Sequence, residues 1–413
     1  MADNTRAAFT YRHTRWACNL GTICLAANNN LLPLLFIIFQ DSYGISYERL
    51  GRLILLNFLT QLVTDIIAAR YADKIGHRAA MILAHALCAA GLIFISAASL
   101  LPFGIYGALA LGTIISSIGS GLLEVLVSPI SDALPAEKES KAANMALLHS
   151  FYCWGQVLVV VVTTFLLLLV GHERWRLLPL VWIILPVTAL FLFAKVPLVT
   201  SHEPANASGI KKLFASRVFW ASMLLMLCSG ASEITVSQWS SMFAEQSLGI
   251  TKVLGDLIGP CMFAVMMGIG RTFYGVWGNK IRLAPFIAAS AFLCVISYLM
   301  ISLSTRPAVS LAGVLLCGFS VSIMWPGTLS LNAARFPLGG TAMFGILAMS
   351  GDLGAAAGPW LAGFSAERAS KGAGVLNNLN LISPLHFGIL IGIIFPFLML
   401  AVIVAARKSY SVK

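Results

Sequence analysis

Twelve stretches of this chain are long, apolar and nearly free of charge, and no other feature of the sequence constrains the fold so tightly. The first half offers Trp16 to Phe39, Leu53 to Ala69, Ala79 to Leu101, Phe103 to Ile130, Ala142 to Val170 and Leu177 to Ala194. The second half offers Val218 to Ala244, Val253 to Gly278, Leu283 to Ser304, Ala308 to Ala334, Gly339 to Ala366 and Leu381 to Ala406. A bilayer core takes about 20 apolar residues per helix, so each run predicts a transmembrane helix. Charged residues make up 10% of the chain, against roughly a quarter in a soluble domain. The expected fold class is an all-α membrane protein with twelve transmembrane helices and no soluble catalytic domain.

The chain is also doubled. Asp65 to Arg78 reads DIIAARYADKIGHR, and 206 positions further on, counting from Asp65 to Arg271, the stretch Arg271 to Arg282 reads RTFYGVWGNKIR. Ala69 falls on Gly275, Ala72 on Gly278, Asp73 on Asn279, Lys74 on Lys280 and Ile75 on Ile281. Both stretches lead into short basic loops between long apolar runs, which predicts two halves built on one plan. The one long interior break, Pro197 to Ser216, is then a linker. The expected division is a six-helix bundle over 1–196, a cytoplasmic linker over 197–216 and a second six-helix bundle over 217–413.

Twelve spans put both termini on one side. Nineteen of the 27 Lys and Arg residues collect on that side, leaving eight on the other, so both termini are expected to be cytoplasmic in a cell (inner) membrane. The net charge of +11 follows from this bias and from the scarcity of acids. No basic patch interleaved with aromatics accompanies it, which argues against a nucleic-acid partner. The eight cysteines all lie inside apolar runs without metal-like spacing and read as packing residues. No metal or cofactor is expected. The sequon Asn206-Ala-Ser208 faces the cytoplasm on this topology and should be unmodified. Prolines at 33, 129, 186, 260, 326, 359 and 396 mark expected bends.

These features resemble the major facilitator superfamily over nearly the whole chain. The loop after the second helix is close to G-x-x-x-D-R/K-x-G-R-R, with Asp73, Gly76 and Arg78 in place, Ala69 for the opening glycine and His77 for the first arginine. A weaker copy follows the eighth helix. Within that superfamily, Gly119-Ser-Gly-Leu-Leu-Glu124, Leu148-His149-Ser150-Phe151, Ile323-Met-Trp-Pro326 and the run Asn28-Asn29-Asn30 are similar to the fucose:proton symporter group. That group has an acid after these asparagines, where this chain has Leu31-Leu32-Pro33. The resemblance implies the major facilitator fold, two pseudo-symmetric six-helix bundles, with the second, fifth, eighth and eleventh helices at a gating rim. Asp65, Asp73, Arg78 and Arg271 are the gating candidates; Asp65 and Arg271, equivalent under the repeat, are candidates to pair across the repeat interface, the alternative being that both are ordinary interfacial charges reaching to water.

An ionisable side chain at the bilayer centre costs about 3 kcal/mol on insertion scales and therefore needs a reason. Ser117, Ser120, Glu124, Ser128 and Ser131 follow one another at helical spacing and share one face. Ser229, Glu233, Ser237 and Ser240 repeat the arrangement in the seventh helix. One carboxylate per half suits a solute site at the repeat interface. Glu124, Glu233 and, at lower rank, Asp352 are the proton-coupling candidates. The bland alternative is a protonated acid bonded to serine as structural glue. Asn29, Asn30, His149, Gln156, Gln238 and Asn332 supply donors and acceptors for a hydroxyl-bearing solute, and Trp154, Trp239 and Trp325 supply flat faces for sugar stacking. Interhelical hydrogen bonding alone is the competing explanation for each.

The expected function is proton-coupled symport of a small polar, sugar-like solute by alternating access. The alternative is a proton antiporter exporting amphiphilic drugs, although the fifth helix lacks the G-x-x-x-G-P-x-x-G-G pattern common in such antiporters. A transporter-like receptor is a third reading. No Ser-His-Asp arrangement, metal spacing or nucleotide loop supports an enzyme. The partners expected are the solute, protons and the lipid bilayer, with the chain acting as a monomer.

Overall fold

The structure is a computed structural model that describes residues 9–102, 104–135, 141–199, 213–277, 282–336, 340–371, 383–406 and 410, with the side chains of 69–70, 72–74, 132, 141–147, 275–277, 333 and 340–342 outside that description. All its regular elements are helical. In chain order they are α1 (Tyr11–Leu31), α2 (Phe36–Tyr43), α3 (Tyr47–Ile75), α4 (His77–Ser96), α5 (Ile105–Ala133), α6 (Lys141–Val170), α7 (Leu177–Trp182) and α8 (Ile184–Lys195). They continue with α9 (Arg217–Gln246), α10 (Lys252–Asp256), α11 (Met262–Trp277), α12 (Leu283–Leu303), α13 (Pro307–Val321), α14 (Met324–Arg335), α15 (Gly340–Ser370), α16 (Pro384–Gly392) and α17 (Ile394–Ala405). Eleven helical stretches among the described residues are long and apolar enough to cross a membrane, and they coincide with eleven of the twelve runs. The remaining run falls in α15, a 31-residue helix whose Asp352 and glycines lower its hydropathy.

The helix breaks follow from proline chemistry. A proline ring clashes with the carbonyl four residues back and has no N–H to donate. Accordingly α7 gives way to α8 at Ile183, three residues before Pro186. Likewise α16 gives way to α17 at Ile393, three before Pro396. The passage from α13 to α14 runs through Ser322 and Ile323, just ahead of Pro326. Around Pro260 the chain widens into a π-turn, Leu257–Cys261, between α10 and α11. At Pro33, α1 stops and a 3₁₀ turn, Pro33–Leu35, precedes α2. Pro129 and Pro359 sit inside unbroken helices.

The chain forms two compact units. The first comprises Met1–Leu32 and Thr60–Glu203, the second Pro33–Leu59 and Pro204–Lys413. Residues 33–59, which chain order assigns to the first six helices, thus pack with the second unit, and α3 passes from one unit to the other without a break.

In the first unit α4 and α5 run so close that a Cβ at Gly112 would lie 2.8 Å from Ile95. Ala17, Met81, Ala84, Leu123, Leu126 and Phe193 fill its core. In the second unit α9 crosses α15 at Gly230, Gly354 and Gly358, where a Cβ would strike the facing helix, and a Cβ at Gly351 would strike Trp325 of α14. Without a hydrophobic driving force between helices in lipid, such close backbone packing is what holds them together. All eight cysteines are buried and none is in a disulfide. Most of the linker, the sequon at Asn206, the side chain of Asp73 and the loop copy at Asn279 to Ile281 lie outside the described residues.

Candidate functional site

The first unit carries a polar centre built by α1, α3 and α5. Asn28 Nδ2 donates to Ser120 Oγ at 3.1 Å, and Gln61 Nε2 donates to Asn29 Oδ1 at 3.0 Å. Asn30 turns back on its own helix, donating to the Ala26 carbonyl at 2.9 Å. Successive residues on a helix diverge by about 100°, so the three asparagines serve three different directions. Ser117 and Ser120 are fully buried, Ser131 is buried, and Glu124 is half-buried. The carboxyl oxygens of Asp65 and Glu124 come within 4.8 Å of each other. Gly121 makes this possible, since a Cβ there would sit 3.0 Å from Asp65 Oδ1 and 2.9 Å from Thr64 Cβ. Asp65, placed at the gating rim by sequence, is therefore a neighbour of the foremost proton-coupling candidate.

Arg78, another gating candidate, bonds to the end of a neighbouring helix. Its guanidinium donates to the carbonyls of Phe193 and Val196, both at 2.7 Å. The last carbonyls of a helix have no partner within it, and Arg78 supplies one for the end of α8. On α6, His149 is exposed, Trp154 is 54% exposed and Gln156 is buried. The described geometry does not gather these three into one cluster.

The second unit holds its own ionisable pair. Arg271 on α11 lies 3.8 Å from Glu233 on α9. Ser229, Ser237 and Ser240 are buried along the same helix, as is every residue from Cys228 to Ala244. Asp352 is 3% exposed on α15, beside the glycine crossing. Trp239 is completely buried: its indole N–H donates to the Pro359 carbonyl at 3.0 Å, and Phe36 and Tyr47 pack around it. Trp325 is half-buried and lies over Gly351. Gln238 is buried. Asn332 Nδ2 donates to the Thr328 carbonyl at 2.8 Å, while its buried Oδ1 has no hydrogen-bond partner among the described residues. A small pocket of about 90 Å³, lined in part by Phe273, Phe286, Phe319 and Ser322, contains no candidate site residue and is too small for a solute of sugar size.

Two groups escaped the sequence reading. Lys252 and Asp256 form a buried ion pair one turn apart, and Ser241 of α9 bonds to both. The signal was available, because a Lys and an Asp four residues apart at the head of an apolar run are as costly in lipid as the acids singled out. Gln40, Tyr47 and Gln246 form a second group, in which the Tyr47 hydroxyl donates to Gln246 Oε1 at 2.7 Å and Gln246 bonds to Gln40. Only the folded chain brings these residues together.

The sequence profile of the Major Facilitator Superfamily matches residues 18–359. No curated protein sequence matches the chain. Among solved structures, the E. coli fucose:proton symporter FucP is similar, with a TM-score of 0.64 at 17% identity over 97% of this chain and 98% of that one. A bacterial homologue of the human lysosomal transporter Spinster, inward-facing and occupied, gives a TM-score of 0.75 at 13% identity over 96% and 97%. A D-xylose-proton symporter gives 0.71 at 14% identity over 94% and 97%. At such identities the structural likeness speaks for the fold alone. The profile match spans most of the chain, so this multi-pass integral membrane protein belongs to the Major Facilitator Superfamily of transporters.

Proposed function

We propose that the chain is a secondary transporter that moves a small, hydroxyl-bearing, sugar-like solute together with protons by alternating access. The observation that carries this reading is the approach of Asp65 to Glu124. At 4.8 Å, two ionised carboxylates repel by about 3 kcal/mol at the effective dielectric that fits protein interiors. A proton bound to the pair removes that repulsion. An arrangement that gains from one proton and is strained without it suits cyclic loading and release. Asn28, Asn29, Gln61 and Ser120 beside it offer the mixed donors and acceptors that hydroxyls require.

The fucose:proton and D-xylose-proton symporters among the similar structures favour both the solute class and the coupling ion. The reading includes both termini on the cytoplasmic side of the cell membrane, a working monomer, no cofactor and no chemistry on the solute.

The test is transport in liposomes containing the purified protein, with a panel of radiolabelled monosaccharides. With Glu124→Gln, accumulation driven by an inward proton gradient is expected to vanish while exchange of solute across the membrane continues. Accumulation at the native level in that variant would discard the proposal.

A further inference from the structure

The small pocket of the second unit lies apart from every candidate site residue, and its walls say what it can take. Phe273 of α11, Phe286, Ala289 and Leu293 of α12 and Phe319 of α13 line a crevice of about 90 Å³. Its rim faces outward. Phe273 is 37% exposed and Ala289 is exposed, while Ile269 and Phe292, one turn away on the same two helices, are 50% and 56% exposed. On a membrane span such apolar side chains meet acyl chains, because no water reaches them there. The crevice therefore opens sideways onto lipid.

Helix geometry gives its depth. Arg282, exposed, is the N-terminal cap of α12. At 1.5 Å of rise per residue, Phe286 lies about 6 Å and Leu293 about 16 Å along α12 from Arg282. The hydrocarbon of one leaflet is about 15 Å deep, so the crevice follows a single leaflet from just beneath its surface toward the midplane. Ser322, also in the lining, turns its hydroxyl to the Phe319 carbonyl at 2.6 Å, which leaves mainly ring and alkyl surface. Such a slot fits part of an acyl chain.

The charge at its head is positive, since Arg282 and the positive end of the α12 dipole meet there. Within the second unit α9 crosses the membrane and α10 with α11 returns, so α12 begins on the side where Arg217 opens α9. On the topology proposed above that side is the cytoplasmic leaflet, whose surface carries anionic lipid.

We infer that the crevice seats one acyl chain of an anionic phospholipid whose phosphate pairs with Arg282. A free anion has no use for an apolar slot beneath the arginine. A second copy of the chain would present helices 10–12 Å across, too broad to enter. The site requires the membrane topology of the transporter reading but neither its solute nor its coupling ion. It also has a structural consequence. Gly270 of α11 forms part of the lining, and a Cβ on it would collide with the Ser322 hydroxyl. Ser322 opens the passage from α13 to α14. A chain seated against Phe319, three residues ahead, braces α11 and α12 against that passage, so the lipid is expected to raise thermal stability.

The experiment uses the full-length protein in detergent with two lipids of the same chains, palmitoyl-oleoyl phosphatidylglycerol and palmitoyl-oleoyl phosphatidylcholine. Native mass spectrometry counts the lipid retained, and thermal unfolding reports its effect on stability. One phosphatidylglycerol per chain is expected to be retained, preferred over phosphatidylcholine by roughly fivefold, the factor that one basic residue near an anionic lipid surface contributes. Arg282→Gln should lose that preference and hold both lipids at the phosphatidylcholine level. Ala289→Trp fills the crevice from an exposed position; it should retain neither lipid there and gain no stability from phosphatidylglycerol. Ala289→Leu, a smaller fill expected to lose lipid in the same direction, serves where the indole prevents folding. Phe292→Trp, on the same lipid-facing side but outside the crevice, should behave as the native chain does. Sodium phosphate in excess should displace nothing, since it lacks the chain.

Equal retention of the two lipids by the native protein, an undiminished preference in Arg282→Gln, or native retention in both Ala289 variants would each overturn the inference. Displacement by phosphate would do so by showing an anion site without a chain. A dimer in the native spectrum that Ala289→Trp breaks up would do so by making a second copy the occupant. None of these outcomes touches the proposed transport, which Glu124→Gln tests separately.

Discussion

At the scale of single residues, the first unit's site depends on what is missing at position 121. A side chain there would press on Thr64, Asp65 and the Gln61 carbonyl together. Gly121→Ala therefore forces α3 off α5, a small-to-large change that costs about 1–3 kcal/mol in a packed interior, and it separates Asp65 from Glu124. The expected result is a lower thermal midpoint in detergent and reduced pH-driven accumulation. Gly345→Ala is the control, because a Cβ there meets nothing within 4 Å; it should match or exceed native stability. Equal midpoints for the two variants would mean that the close approach at 121 is not what holds the acids together. The serine faces and the cost of intramembrane acids were readable from spacing and composition, which is why Glu124 and Glu233 were singled out as candidates. The approach of Asp65 to Glu124 was not legible, since helical periodicity fixes a face and does not say which residue of another helix faces it. Trp239 shows the same limit: an indole is equally suited to stacking a sugar and to filling a core, and the fold buries this one against Pro359.

At the scale of helices, proline positions gave the bends almost directly, because the clash with the carbonyl four residues back is local and needs no tertiary information. Helix ends were less legible. The motif loop gave Arg78 as a gating candidate and did not show that its bonds run to the end of α8, 115 and 118 residues away in sequence. Such a contact has no local signature. It makes a definite prediction, because charge-assisted bonds of this kind contribute roughly 1.5–3 kcal/mol each. Arg78→Ala should destabilise the protein by at least one such bond and speed hydrogen exchange in the amides around Val196. Arg78→Lys should recover part of the loss, since one ammonium cannot bridge both carbonyls as a guanidinium does. Exchange near Val196 that is unchanged in Arg78→Ala would show that α8 keeps its end without this clamp.

At the scale of the whole chain, the repeat and the twelve runs made the fold legible before any coordinates, and the superfamily match agrees with them. The packing of residues 33–59 was not legible, because the repeat assigns them to the first six helices, whereas their contacts lie in the second unit. Inside that unit the opening turns of α3 rest on α15: a Cβ at Gly363 would lie 2.7 Å from the Tyr47 carbonyl and 2.8 Å from Trp239, and one at Gly51 would lie 3.2 Å from the Trp360 backbone. The Tyr47–Gln246–Gln40 bonds close the same contact. The same segment buries Leu35, Phe36, Phe39 and Leu50, so a transport cycle that moves it relative to α15 must break apolar packing as well as these hydrogen bonds. Gly363→Ala is a wedge at this contact. It should loosen α3 from α15 and expose Gln246, so that a cysteine placed at position 246 reacts several-fold faster with a membrane-impermeant maleimide than in the otherwise native chain. Solute exchange should slow at the same time, because one state of the cycle has lost contacts that the other retains. Unchanged labelling together with unchanged exchange would mean that the segment is a fixed part of the second unit and takes no part in the cycle.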